Sequence, residues 1–317
     1  MALNFWVSWW ERLFFNPNWF DWVIISLLSP LSLIFGTVML FRRLLSRSKS
    51  YSVPIVSVGN LTVGGSGKTP FVIALASKYS YVTIISRGYG REIRGMIEVS
   101  RDGKVLVDVY KSGDEPMLMA KSLAHASVIV SEDRHQAIEL AIKRGARIII
   151  LDDGFNRVDI QKFEILLFPK LIRNPFPFPA GPFREFGFVK YFADLSLRED
   201  DEFRRVVKIE NPTSKMFLLT AISNPMRLQP YLPQDGSIIG YRYLEDHAYF
   251  SKEEIRKILD HSGATTLLVT EKDAVKMEDF GVRLSIMRLS LEIDSWVFDR
   301  IDSYLHEVGE GDNKISL

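Results

Sequence analysis

Val58-Gly59-Asn60-Leu61-Thr62-Val63-Gly64-Gly65-Ser66-Gly67-Lys68-Thr69-Pro70 decides how this chain is read. An apolar strand runs into a glycine-rich turn, then Lys-Thr, then a helix. Glycines at Gly64, Gly65 and Gly67, with Ser66 between, let backbone N–H groups close around phosphate oxygens. Lys68 reaches toward β/γ-phosphates and the Thr69 hydroxyl suits Mg²⁺. Pro70 fits the first turn of the helix that follows. The pattern departs from G-x-x-x-x-G-K-[ST] at its start, where Thr62 holds the first glycine position.

Outward from this loop, short apolar runs alternate with helical stretches. Strands are expected at Val53–Val58, Val82–Ile85, Ser127–Val130, Arg147–Leu151 and Phe163–Phe168. Helices are expected at Pro70–Lys78, Pro116–Leu123 and His135–Arg144. Fully apolar strands alternating with helices imply a parallel sheet covered on both faces. Glu92–Tyr110 reads as an inserted hairpin turning at Asp102-Gly103. Asn174–Pro182, rich in Pro and Phe, reads as irregular. A second alternation follows Arg205: strands at Met216–Thr220 and Thr266–Val269, a helix at Lys252–His261. The expected fold is α/β, a phosphate-loop NTPase-like parallel sheet with a smaller second α/β domain. The expected divisions are 1–50, 51–205 and 206–317.

The chain has 317 residues, room for more than one domain. Its 40 Lys+Arg against 39 Asp+Glu leave a net charge of +1, which argues against a broad nucleic-acid surface. It has no cysteine, which excludes disulfides, thiolate zinc sites, iron–sulfur clusters and cysteine nucleophiles. Residues 1–50 stand apart. They hold five of the six tryptophans, and no charge falls between Trp22 and Phe41. Twenty helical residues cover about 30 Å, the thickness of a bilayer's hydrocarbon core. Arg42, Arg43, Arg47 and Lys49 follow and would keep that end cytoplasmic. Pro30 and the hydroxyls of Ser26, Ser29, Ser32 and Thr37 dilute the run, so an interfacial helix fits as well as a spanning one. Both readings predict membrane association.

Several charged groups lie where a parallel sheet binds ligands, beyond strand carboxyl ends. Asp152-Asp153 ends an apolar strand and suits Mg²⁺, or else a turn. Arg87 in Ser86–Gly90 and Arg134 in Glu132–His135 reach the same edge and could balance charge on a transferring phosphoryl group. Asp114 in Gly113–Pro116 reads, on its own, as an ordinary helix cap. His247 and the run Thr270–Asp273 read as surface residues unless the second domain covers the loop. Phenylalanines and tyrosine from Phe176 to Phe192, interspersed with Lys170, Arg173, Arg184 and Lys190, suit either an anionic lipid surface or a loop tucked on the core.

Seven stretches in one order carry a resemblance: Val58–Pro70, Ser86–Gly90, Gly113–Pro116, Asp152–Phe155, Pro179–Glu185, Asp246-His247 and Thr270–Lys276. The chain resembles the tetraacyldisaccharide 4′-kinase family, the lipid A kinases of Gram-negative bacteria. The resemblance implies an enzyme that uses ATP and Mg²⁺ to phosphorylate the 4′-hydroxyl of a tetraacylated glucosamine disaccharide 1-phosphate, giving lipid IVA. It implies work at the cytoplasmic face of the inner membrane, with the lipid and the membrane surface as partners; no nucleic-acid partner and a monomer are expected besides. By that resemblance Asp114 is the base, working with His247. Lys68 and Arg134 join them, Gly64 to Thr69 hold ATP, and Thr69, Asp152 and Asp153 hold the metal. Arg87, Arg184, Glu185 and Asn156 fall at substrate positions. The chain departs from the family's DDG-[FL]-Q-H at Asn156 and Arg157. The alternative is a membrane-attached NTPase, a switch or assembly ATPase, without lipid phosphotransfer. A guanine-reading N-K-x-D fails here because Lys272 and Asp273 are adjacent, and no LSGGQ-like signature occurs.

Overall fold

The computed structural model describes residues 2–64 and 67–315. The chain opens on two helices, α1 (Ala2–Phe15) and α2 (Trp19–Leu45). Strand β1 (Ile55–Gly59) leads through the glycine turn to α3 (Lys68–Ala76). Next come β2 (Val82–Ser86), β3 (Ile97–Arg101), β4 (Lys104–Val105), α4 (Val109–Ser112) and α5 (Asp114–Ser122). The alternation continues through β5 (Ser127–Val130), α6 (Arg134–Lys143), β6 (Ile148–Asp152) and β7 (Phe163–Phe168). Four more strands follow: β8 (Leu195–Arg198), β9 (Phe203–Glu210), β10 (Met216–Thr220) and β11 (Ile238–Tyr243). The chain closes with α7 (Lys252–Ser262), β12 (Thr266–Thr270), α8 (Glu271–Ala274), β13 (Leu284–Ile293) and α9 (Ser295–Ile315).

The chain divides into two compact units. One comprises Met1–Lys68, Ile150–Arg204 and Ile293–Leu317; the other comprises Thr69–Ile149 and Arg205–Glu292. In the first, strands run in the order β6-β1-β7-β8, with β7 parallel to both β1 and β8. Every residue of β1 and β7 is buried, including Ser57 and Glu164 among otherwise apolar neighbours. In the second unit the order β4-β3-β5-β2 pairs β2 with β5 in parallel. Strands β3 and β4 form the expected antiparallel hairpin, with Asp102 at φ 49° and Gly103 at φ 81°. A further sheet, β11-β10-β12-β13-β9, is parallel through its first four strands.

Helix α2 starts at a capping box: Asn18 Oδ1 accepts from Asp21 N, and Asp21 Oδ2 accepts from Asn18 N, both at 2.9 Å. Arg12 of α1 clamps the same carboxylate with two 3.0 Å hydrogen bonds, joining the helices. Pro30 has no N–H for the Ser26 carbonyl; the Ser29 hydroxyl donates to it instead at 2.8 Å, so the helix continues. Its 27 residues extend about 40 Å. Its most apolar window has mean hydropathy 2.2 and is only 17% buried, so the helix is long and apolar enough to cross a membrane. Residues 174–183 are irregular, as expected, yet fastened: Asn174 Nδ2 donates to Leu13 O and Ala180 O, and Ser32 Oγ accepts from Ala180 N. The Phe186 ring lies against α2 at Gly36, where a Cβ would stand 2.6 Å from it. The aromatic stretch is tucked on the core only in part: Phe183 is buried, while Phe178, Phe188, Tyr191 and Phe192 are exposed.

Candidate active site

In the first unit the site grows from the end of β1. Asn60 is buried, and its Nδ2 donates to Thr62 O at 2.7 Å and Gly64 O at 3.4 Å, which shapes the start of the loop. Its Oδ1 accepts from Lys68 Nζ at 3.1 Å. Gly64 (φ 94°) and Gly67 (φ 81°) adopt backbone that side chains resist. Gly65 and Ser66 lie outside the described residues. Lys68, at the first position of α3, stands 3.5 Å from Asp153 Oδ1, and Arg184 Nη1 reaches both Asp153 oxygens at 3.3 and 3.1 Å. Burial alone would raise Asp153, but the Lys68 and Arg184 charges hold its carboxyl below the usual range. Asp153 also sits at φ 52°, a strained conformation of the kind that gathers at functional sites. Asp152 is buried at the end of β6.

Residues 182–184 lie beside the loop as a short antiparallel strap. Arg184 N donates to Leu61 O at 2.7 Å, Val63 N to Pro182 O at 2.8 Å, and Thr62 bridges Phe183. Glu185 is 1% exposed, and both its oxygens accept from Arg43. Asn156 lends its backbone carbonyl to Arg42 at 3.1 Å. Among the described residues no group of three or more His, Asp or Glu is arranged to hold a metal. Mg²⁺ needs no such cage: one or two carboxylates with phosphate oxygens and water suffice, and the Asp152-Asp153 pair at a strand end fits that donor set.

In the second unit Gly113 (φ 87°) turns the chain so that Asp114 opens α5. Asp114 is not a mere cap. His247 Nδ1 lies 2.9 and 3.0 Å from its two oxygens, across 133 residues of sequence. Lys276 Nζ stands 3.2 Å from Oδ2 and Lys272 Nζ 3.6 Å from it. Burial works to raise the Asp114 carboxyl, but the His247 hydrogen bond and the Lys272, His247 and Lys276 charges hold it at about 2. Lys272 is raised by Asp114, Glu115 and Asp246 against the opposing effect of burial. Lys272 Nζ also lies 3.5 Å from His247 Nε2, which pairs an Nδ1–H donating to Asp114 with an Nε2 lone pair facing the ammonium. His247 has φ 62°, pinned by its N–H donating to Ala221 O and Asp246 Oδ1. The loop carrying Arg87 borders it: the Tyr89 ring centroid is 5.3 Å from the imidazole, and a Cβ on Gly90 would stand 3.5 Å from it. Arg87 is exposed; Arg134 is buried, with Nη1 donating to Ser131 O at 2.7 Å.

A sequence model of the family described as "Tetraacyldisaccharide-1-P 4'-kinase" matches residues 24–205 and 188–306. The chain belongs to this kinase family. A tetraacyldisaccharide 4'-kinase of Aliarcobacter butzleri (strain RM4018) is 43% identical over 307 residues, covering 94% of this chain and 97% of that protein. One from Helicobacter acinonychis (strain Sheeba) is 42% identical over 296 residues, covering 93% and 94%. A crystal structure of the "apo" form of LpxK from Aquifex aeolicus in complex with ATP has TM-score 0.76 and 28% identity, covering 90% of this chain and 99% of that one.

Of the sequence-derived candidates in this kinase, Lys68, Asp153 and Arg184 come together in one unit, and Asp114 with His247 in the other. Thr69 follows Lys68 in the first turn of α3. Asn60, Lys272 and Lys276 fall within stretches that the sequence singled out, but none of the three was assigned a role in the site. The Lys276 side chain is 1% exposed, with its ammonium also donating to Ala248 O at 3.1 Å. Lys272 lies in α8 and Lys276 just past its end, and it is their packing on Asp114 that brings both to the site.

Proposed function

We propose that the chain transfers the γ-phosphate of ATP to the 4′-hydroxyl of a tetraacylated glucosamine disaccharide 1-phosphate, giving lipid IVA. The observation that carries this reading is the Asp114–His247 pair at 2.9 Å in a member of a 4′-kinase family. Phosphoryl transfer asks little covalent chemistry of a protein; positioning and charge balance supply most of the rate. Residues 64–69 hold the ATP phosphates, with Lys68 on the outer ones and Arg184 supporting the same charge field through Asp153. Asp152, Asp153 and the Thr69 hydroxyl are the proposed Mg²⁺ ligands. Bound with ATP, Mg²⁺ would draw charge from the phosphate oxygens.

Asp114 and His247 handle the acceptor's proton as one unit. Asp114 is 3% exposed and the His247 side chain 20%, so the substrate hydroxyl meets the pair at its imidazole end. The carboxylate, kept anionic by Lys272 and Lys276, fixes the imidazole's tautomer and offsets the charge that develops on it. A loose transition state releases the hydroxyl proton late, so a modest base suffices. Arg134 and Arg87, near the strand ends, are assigned to charge on the transferring group and on the substrate respectively; Asn156 is assigned to the substrate as well.

Helix α2 anchors the enzyme at the inner membrane, where the acylated substrate resides. The basic cluster Arg42, Arg43, Arg47 and Lys49 supports a cytoplasmic position for its C-terminal end and the kinase. The test is phosphate transfer from labelled ATP to the purified disaccharide in detergent micelles. Labelled lipid supports the kinase; ATP hydrolysis with unlabelled lipid supports an NTPase instead.

A further inference from the structure

The last turn of α2 carries Arg43, whose side chain is only 9% exposed at the end of a largely exposed apolar helix. Its guanidinium makes a fork on Glu185: Nε to Oε2 at 2.9 Å and Nη2 to Oε1 at 2.8 Å. Nη2 also donates to Phe155 O at 3.3 Å, and Cζ lies 4.1 Å from the Phe155 ring centroid. Glu185 ends the strap that runs beside residues 61–63. Phe155 ends the Asp152-Asp153-Gly154 turn and packs against Gly59, where a Cβ would come 2.6 Å from its own Cβ. One side chain therefore ties both walls of the phosphate-loop frame to the helix.

We infer that Arg43 is a positioning residue for the nucleotide site, and that Glu185 acts through it and not on the lipid substrate. The inference deepens the ATP reading above and rests on it. Both Glu185 oxygens are occupied and the carboxylate is buried, so it offers the acceptor sugar no face. Its neighbour Arg184 carries the effect onward, through its N–H on Leu61 O and its guanidinium on Asp153, which in turn faces Lys68. Arginine is required for its shape. A lysine keeps the charge but offers a point donor that cannot hold two carboxylate oxygens, a carbonyl and a ring face together. A frame that loosens by about 1 Å can cost up to about 10²-fold in rate at such sites. The α2 helix is thus part of the catalytic frame as well as an anchor.

The test is ATP titration of the full chain in detergent micelles, native against Arg43→Lys, Glu185→Gln and the double variant, with kcat and both KM values measured in parallel. Arg43→Lys retains the basic charge and spares Glu185 from burial beside an apolar side chain, so it is the variant to keep folded. Each single variant is expected to weaken ATP binding about tenfold, the double variant no further, because the two act as one contact. The KM for the lipid and binding to anionic phospholipid vesicles should stay at native values. ATP affinity within twofold of native in both single variants overturns the inference while leaving the nucleotide reading intact. A rise in lipid KM with unchanged ATP affinity also overturns it, by returning Glu185 to the substrate. Failure of the native chain to bind ATP overturns both.

Discussion

Replacing Asp114 with Asn changes one oxygen to an NH₂ and almost nothing in volume, so the loss it causes measures chemistry more than packing. In the native site the carboxylate accepts from His247 Nδ1, from Glu115 N at 3.0 Å, and faces two ammonium groups. An amide turned so that its oxygen meets the lysines presents N–H to Nδ1, which flips the imidazole tautomer and takes the lone pair from Nε2. In Asp–His pairs that change costs on the order of 10⁴ in turnover, and general-base assistance as a whole contributes about 10² to 10⁴. Asp114→Asn should therefore lower kcat by about 10³, or about 4 kcal/mol of barrier, with ATP affinity within about threefold of native. His247→Ala should fall in the same range. The double variant should lose no more than the worse single, since groups acting as a unit are not additive. The assay is initial-rate transfer of labelled phosphate to the lipid, with circular dichroism to confirm folding. A kcat for Asp114→Asn within threefold of native, or single losses that multiply in the double variant, would refute the paired role.

The remaining predictions concern stability and the membrane. Asp114 has its carboxyl at about 2 when folded against about 3.9 unfolded, so its contribution of about 3 kcal/mol is full above about pH 5 and lost as pH falls through 2. Urea unfolding between pH 5 and pH 2 should show that loss in the native chain and not in Asp114→Asn. Glu164 behaves oppositely: burial raises it to about 7 despite Lys162 Nζ at 2.6 Å. Its contribution is full below about pH 4 and lost as pH rises through 7, so Glu164→Gln should flatten the fall in unfolding midpoint between pH 5 and pH 8, and an unchanged slope would count against it. Leu27, Leu31 and Ile34 of α2 are 75%, 54% and 62% exposed. Changing all three to Glu should leave the unfolding midpoint near native yet weaken binding to phospholipid vesicles more than about a hundredfold; retained vesicle binding would remove α2 as the anchor.

The parallel strands that sequence revealed share one property, a mostly apolar run between turn signals. The strands β1, β5, β6 and β7 are of this kind, and β1, β2 and β7 are buried at every residue. Strands β8, β9, β11 and β13 were missed because each is covered on one face only. Their burial alternates along Leu195–Arg198 and Phe203–Glu210, and the exposed positions carry Arg, Lys and Glu that read as loop. Helix α2 begins three residues before the uncharged run, at Trp19, because its cap uses Asn18 and Asp21, whose charge hid the start. In the site, Lys68 and Asp153 were legible since the motif is local and each lies at the end of a buried strand or its loop. Asp114 alone reads as a cap. Its pairing with His247 spans 133 residues, and only tertiary packing reveals it. The same holds for Arg43 and Glu185, 142 residues apart, and for Lys276, whose burial no local pattern announces.

The central claim is lipid phosphotransfer, and the most direct measurement incubates the purified chain with γ-labelled ATP and tetraacyldisaccharide 1-phosphate in micelles, with and without Mg²⁺. Label is expected on the lipid at the 4′ position, dependent on Mg²⁺ and abolished by Lys68→Ala. ATP consumed with the lipid left unlabelled would contradict it.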